Sequence, residues 1–405
     1  MKTTGNYKLF SIRQKYVDAI LITMMPISFL LYTSAPSIII LFFAFFGMWM
    51  IFQKPKLLDD NRTVLISSVS VAMYMLINIL VIGFSTGVWN GLNDVFPLYF
   101  VLTIPIIIGL SLVRNSMKYL ILGCRIAAII FVILSTYTLI ENSSQRIGFG
   151  TNPIITAYLL MIYACISRFR INNTEKIWVG GIYFYAGIVN AIATGTRIII
   201  VFYIVVIILE FLFLIYRLFK KEDNARRNLF LAFFLPSIFI ILCLNYAEVL
   251  RIQSTLDVLT SGNILLDEAV KLRVYMLEFG WSTFTQNILF GIGASNIHSE
   301  LSVYLQELHN IKFAARQLHN MYIHELAAHG IIGASLILFY HSVVYRAIAR
   351  HFKELPETHS VYLLFLGILI FGLTGSYITD DRMVLFTIFV FATLIKSAKR
   401  SEPNI

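Results

Sequence analysis

Apolar residues run along this chain in long blocks separated by short polar segments. The blocks approach the roughly 20 positions that a helix needs to cross a bilayer. Twelve spans are predicted, over 17–33, 36–53, 64–85, 95–113, 119–141, 153–167, 177–194, 197–216, 228–247, 321–344, 361–377 and 383–396. One polar interval is long: residues 248–317, between spans nine and ten, amount to 70 positions. Inside it the pattern turns amphipathic. DEAVKLRVYMLEFGWSTF (267–284) and SNIHSELSVYLQELHNIKF (295–313) repeat apolar residues at three- and four-residue spacing. That predicts two helices on the membrane surface or over the mouth of a bundle. The expected architecture is one all-α polytopic membrane domain over 1–405 with a large helical loop inserted at 248–317. A long ordered loop is usually functional, although a lid without chemistry of its own fits the same pattern.

Charge supplies the orientation. Only 13% of the 405 residues are charged and 58% are hydrophobic, against about 25% charged in a soluble domain. With the N-terminus in the cytoplasm, 23 of the 32 lysines and arginines fall on that side and 8 on the other, with Arg125 inside a span. Basic residues collect on the cytoplasmic side, so both termini are expected there and 248–317 on the opposite face. The net charge of +10 then suits an anionic inner leaflet and the phospholipid bilayer, not nucleic acid. The start, MKTTGNYKLFSIRQK, leads straight into the first span, so no cleavable signal peptide is expected. Cys124, Cys165 and Cys243 all fall in spans and offer neither a disulfide framework nor a metal cluster. The chain shows no repeat and no nucleotide-binding glycine loop.

The eight basic residues of the outer face run against the charge bias, and each asks for a reason. Arg146 lies in QRIGFGTNPI, Arg197 closes ATGTR at the top of span eight, and Arg273 is on the first loop helix. A guanidinium holds two phosphate oxygens in a planar fork and keeps its charge. Converging arginines at a membrane mouth therefore suggest a lipid phosphate or pyrophosphate. The competing reading pairs each one with a headgroup or a nearby acid (Glu248, Asp267, Glu268, Glu278, Asp380 or Asp381). Asp380-Asp381 are expected to pair with Arg382, and Arg125 with an internal carbonyl or carboxylate.

QLHNMYIHELAAHGIIG (317–333) gathers three histidines. HELAAH is one residue too long for a zinc-binding HExxH. His324 and His329 are five apart, about 140° around a helix, and His319 and His324 repeat the mismatch. No metal site is expected. His319 stands where the loop enters span ten, with an ordinary pKa near 6.5. It is either a base for a sugar hydroxyl or a helix-capping histidine. Asn320 can cap the helix, and Gly330 and Gly333 can admit a neighbouring helix. His324 is expected to pack or hydrogen-bond, His298 and His309 to lie on the loop surface, and His341, His351 and His359 to face the cytoplasm.

His319-Asn320, nine residues, then Gly330-x-x-Gly333 matches the HN-x9-GxxG signature of the O-antigen ligase superfamily of bacterial membrane glycosyltransferases. TGTR, KLRVYMLEFG, RIGFG and SELSVYLQELHNIKF are similar to segments of the same family, and roughly residues 140–380 can be laid against it. TGTR departs from the serine that many members carry before the arginine. The resemblance implies a GT-C-like transferase of the bacterial inner membrane, with its active site in the periplasm. It implies an undecaprenyl-pyrophosphate-linked polysaccharide as donor and the lipid A–core oligosaccharide as acceptor. Arg197 and Arg273 would hold the pyrophosphate, Arg146 would support them, and His319 would be the base. No cofactor is implied, since the arginines supply the positive charge. The outer face has no supply of nucleotide sugars, so a glycosidic bond made there needs a donor already activated, such as a lipid pyrophosphate. A polymerase of the same superfamily is the alternative; local motifs hardly separate the two, and the similarity of the loop's second helix favours the ligase. A flippase fits less well, because the polar residues gather at one face instead of the midplane.

Overall fold

The computed structural model describes residues 17, 19–28, 34–86, 96–141, 146–148, 152–219, 260, 267–313, 317–353, 355 and 357–400. Span nine, Cys243, Glu248, Arg251 and Arg316 lie outside the described residues. Over the described residues the protein is all-helical, in keeping with a membrane protein. In chain order its helices are α1 (Ala19–Ser28), α2 (Ala35–Gln53), α3 (Arg62–Thr86), α4 (Thr103–Gly109), α5 (Ser116–Glu141), α6 (Pro153–Ser167), α7 (Ile177–Thr194), α8 (Arg197–Phe219), α9 (Glu268–Gln286), α10 (Ala294–His309), α11 (Met321–Phe352), α12 (Thr358–Gly372) and α13 (Asp381–Arg400). Among the described residues, four helical segments are long and apolar enough to cross a membrane: Ala35–Gln53, Pro55–Leu80, Ser116–Glu141 and Met321–Phe352. Shorter apolar helices accompany them.

Two expected spans take a different form. The fourth is a short α4 flanked by 3-10 turns, Phe96–Leu102 and Leu110–Leu112. Pro105 lacks the amide that would continue an α-helical ladder through the preceding turn, and the Thr103 hydroxyl donates to Phe100 O at 2.7 Å. Span ten is the other exception: α11 extends to Phe352 and is broken at Gly330.

The main core wraps α13, which packs against α2, α4, α5, α6 and α11. From Met383 to Ile395 its residues are buried on every side, as expected of a helix that is apolar all round. Lys396 ends this buried stretch, and its Nζ donates to the carbonyls of Leu110 and Val113 and to Ser116 Oγ at 3.1 Å. Arg125 behaves as the sequence suggests. Its guanidinium donates to Ser167 O (3.0 Å) and Phe169 O (2.8 Å) and pairs with Glu175 at 2.5 Å.

A second, smaller apolar cluster joins α9 and α10 to the first turns of α11: Met276, Phe279, Ile297, Leu301, Leu305, Leu318, Ala327 and Ala328. These two helices run close to the ranges that the amphipathic spacing predicts. Asp267 starts α9, its carboxylate accepting from Ala269 N–H (2.9 Å) and Val270 N–H (3.2 Å).

Candidate functional site

The connection from α10 to α11 ends on Leu318, which is fully buried in the second cluster. His319 follows with φ of 50°, a left-handed backbone that is uncommon for a side-chain-bearing residue. Asn320 then caps α11, accepting from Ile323 N–H at 3.0 Å and donating to Leu373 O at 3.2 Å beyond α12. The cap is therefore Asn320 and not the histidine. Gln317, two residues before His319, accepts from the Thr379 hydroxyl at 2.8 Å. His319 is thus held between α9, α11 and the segment that leads into α13.

Its imidazole is partly buried and Nδ1 has no hydrogen-bond partner. Burial first, and the positive charge of Arg273 second, push its pKa down to about 4 from the ordinary 6.5. Arg273 of α9 therefore reaches His319 electrostatically across 46 positions of chain. The residue is neutral at neutral pH and able to accept a proton.

Arg197 begins α8 after Gly195, which closes α7 in a left-handed turn (φ 59°). Its Nη2 donates to Asp267 at 3.1 Å, with the arginine side chain 27% exposed and the aspartate 5%. The pairing alternative weighed for Arg197 is therefore realised, and the acid is the N-cap of the helix that carries Arg273. Arg146 lies on the same corner. Its Nε donates to Thr194 O at 3.0 Å while Ile147 N–H donates to Ala193 O at 2.9 Å. Arg146 and Arg197 thus both lie near the end of α7, and Arg197, Asp267, Arg273 and His319 are linked through α9. Arg382 pairs with Asp380 at 2.7 Å, as expected.

The two signature glycines do different work. Gly330 has φ 62° and ψ −172°, which interrupts α11. A Cβ there would lie 2.3 Å from Leu289 O. The residues after α9 run through this break. Ile292 N–H and Gly293 N–H donate to Ala327 O (3.0 Å) and Ala328 O (2.8 Å), capping the first half-helix. Ile331 N–H and Ile332 N–H donate to Ile288 O (2.8 Å) and Leu289 O (3.4 Å), so the second half-helix is capped by the same turn. Tyr74 of α3 donates to the remaining carbonyl, His329 O. Gly333 meets the Tyr74 ring, where a Cβ would come within 2.5 Å. Gly333 therefore admits a neighbouring helix, as expected, while Gly330 admits a turn.

His324, Glu325 and His329 are buried on the first half of α11, with His324 Nδ1, Glu325 Oε2 and His329 Nδ1 unpartnered. Glu325 and His329 approach to 3.6 Å. Sequence reasoning gave Glu325 no role. Among the described residues, no group of three His, Cys, Asp or Glu side chains is placed to hold a metal ion. Two other histidines depart from expectation. His309 stacks on Tyr275 at 3.5 Å instead of lying free on the loop surface. His341 sits inside α11, bonded to Ile337 O and the Tyr377 hydroxyl and edge-on to Phe100, instead of facing the cytoplasm. In both cases the partner is an aromatic residue distant in sequence.

Over the described residues the chain is helical, with helices long and apolar enough to cross a membrane, and a half-buried imidazole lies within the electrostatic reach of Arg273. Residues 182–338 match the family model described as O-antigen ligase, and over that stretch the resemblance read from His319 to Gly333 is shown. The matched stretch contains Arg197, Arg273, His319, Asn320, Gly330 and Gly333, and Arg146 precedes it. A comparison with curated proteins found no match.

Proposed function

We propose that this protein is an O-antigen ligase. It would transfer polysaccharide from undecaprenyl pyrophosphate to the lipid A–core oligosaccharide, on the periplasmic face of the bacterial inner membrane. In this reading the chain has about twelve spans in a GT-C-like arrangement, both termini are cytoplasmic, and residues 248–317 form the periplasmic loop. The observation that carries the proposal is the pairing of a neutral imidazole, His319, with the charge of Arg273 on a helix tethered to Arg197.

The acceptor hydroxyl attacks the anomeric carbon, the bond from that carbon to the pyrophosphate oxygen breaks, and configuration inverts. His319 takes the hydroxyl proton. Arg273 and Arg197 stabilise the charge that develops on the leaving pyrophosphate, each contact worth roughly 3–4 kcal/mol of barrier. Arg146 supports them from the end of α7. Arg273 lowers the basicity of His319 while the site is empty, and the negative pyrophosphate offsets that charge. The base therefore strengthens when donor is present. Arg197 must share its fork between Asp267 and a phosphate oxygen, or exchange one for the other.

A polymerase of the same superfamily would use these residues on a lipid-linked acceptor, and the product separates the two. A deletion strain that accumulates full-length polymer on undecaprenyl pyrophosphate beside bare core supports the ligase; single repeat units on core indicate the polymerase. The same strain tests the site. Arg197→Ala combined with Asp267→Asn removes the ion pair and keeps an N-cap on α9. This double variant is expected to insert normally and fail to build the lipopolysaccharide ladder, and a normal ladder would remove Arg197 from the mechanism.

A further inference from the structure

The turn between α9 and α10, residues 287–293, falls within the long polar interval 248–317 between the predicted spans. Its side chains and backbone have the opposite character. Ile288, Leu289 and Phe290 present three consecutive large apolar side chains at the surface, 50%, 56% and 58% exposed. Their carbonyls are nevertheless all paired, to Ile331 N–H, Ile332 N–H and Asn78 Nδ2 (3.1 Å). The amides of Gly291, Ile292 and Gly293 are paired as well, to Asn287 O (2.9 Å), Ala327 O and Ala328 O. A loop in water leaves such backbone groups to solvent. Non-helical chain at membrane depth is tolerated where the protein itself satisfies them.

Position points the same way. The turn's contacts on α3 are Asn78 directly and Tyr74 through α11. Asn78 and Tyr74 precede the end of α3 at Thr86 by eight and twelve residues, about 12 and 18 Å of helix at 1.5 Å per residue. The turn thus sits well inside the length of a helix whose segment Pro55–Leu80 is apolar enough to cross a membrane. Its apolar face continues onto exposed Ile331 of α11, and Met73 and Ile77 of α3 are exposed as well.

We propose that residues 287–293 form a re-entrant turn immersed in the leaflet on the His319 side, with lipid acyl chains covering Ile288, Leu289 and Phe290. The turn then anchors the C-terminal end of α9 at a fixed depth, while the Arg197–Asp267 pair holds its N-terminal end. Arg273 lies between the two. This inference stands whether or not the glycosyltransferase reading does.

The test uses the full chain in phospholipid vesicles, with Cys124, Cys165 and Cys243 replaced by alanine and a nitroxide attached at Leu289→Cys or Phe290→Cys. Ser299→Cys, exposed on α10, serves as the aqueous reference, and Ile288→Cys replaces either turn position whose variant does not fold. At the turn, collisions with dissolved oxygen are expected to exceed those with a water-soluble nickel chelate several-fold, with the order reversed at Ser299. High nickel accessibility at the turn would mean water, and low accessibility to both would mean a protein cover such as a second copy of the chain. Either result overturns the proposal.

Discussion

His319 combines a left-handed backbone (φ 50°), a buried Nδ1 without a partner, and a pKa pushed down to about 4 by burial and then by Arg273. Strained, electrostatically perturbed residues concentrate at functional sites. The folded protein resists a proton that the unfolded chain accepts near pH 6.5. This residue's effect on stability is therefore flat above about 6.5, and it opposes folding increasingly as pH falls toward 4. An NMR titration of the imidazole should show a midpoint near 4, and Arg273→Gln should raise it; a midpoint near 6.5 that Arg273→Gln does not move would dissociate the two groups. At this scale the sequence was legible where chemistry is local. Asn320 caps its own helix and Asp380 holds Arg382 two residues on. The partners of Arg125 were legible in kind, because a charge inside a span must find an acid or a carbonyl. His309 and His341 were misread because Tyr275 and Tyr377, which surround them, are 34 and 36 positions away.

At the scale of elements, α9 and α10 were legible from spacing alone, because an amphipathic period reports a single apolar face. The break in α11 was not. Gly330 in HGIIG reads as a packing glycine, and the turn that fills the break comes from residues 288–293, with further pairing from Tyr74 and Asn78 more than two hundred positions away. Non-local backbone pairing leaves no periodic trace. Gly330→Ala adds a Cβ 2.3 Å from a backbone oxygen at positive φ, whereas Gly181→Ala in α7 meets nothing within 4 Å. Thermal unfolding in detergent should show Gly330→Ala destabilised by more than about 2 kcal/mol. Gly181→Ala should be neutral or up to about 1 kcal/mol more stable. Equal unfolding temperatures would mean that the broken helix is not required.

Across the whole molecule, two apolar cores meet in α11. Ala327 and Ala328 belong to the cluster with α9 and α10, whereas Ile337, Tyr340, Val344 and Ile348 belong to the main core around α13. Met321 at its start also belongs to the main core, so the helix that carries His319 at its head is fixed to both. The overall helical architecture was legible because the length of the apolar blocks is a global property of the chain. The enclosure of α13 was not, since a span facing lipid and a span enclosed by protein are equally apolar. The central claim is that His319 is the base for glycosyl transfer from a lipid pyrophosphate to core oligosaccharide. Its most direct measurement is the rate at which purified protein in vesicles moves polysaccharide from undecaprenyl pyrophosphate onto lipid A–core. The wild-type chain should modify the core, and His319→Ala, folded and inserted, should do so at least about a hundredfold more slowly. Transfer by His319→Ala at the wild-type rate, or a wild-type product that is only a longer lipid-linked polymer, would contradict the account.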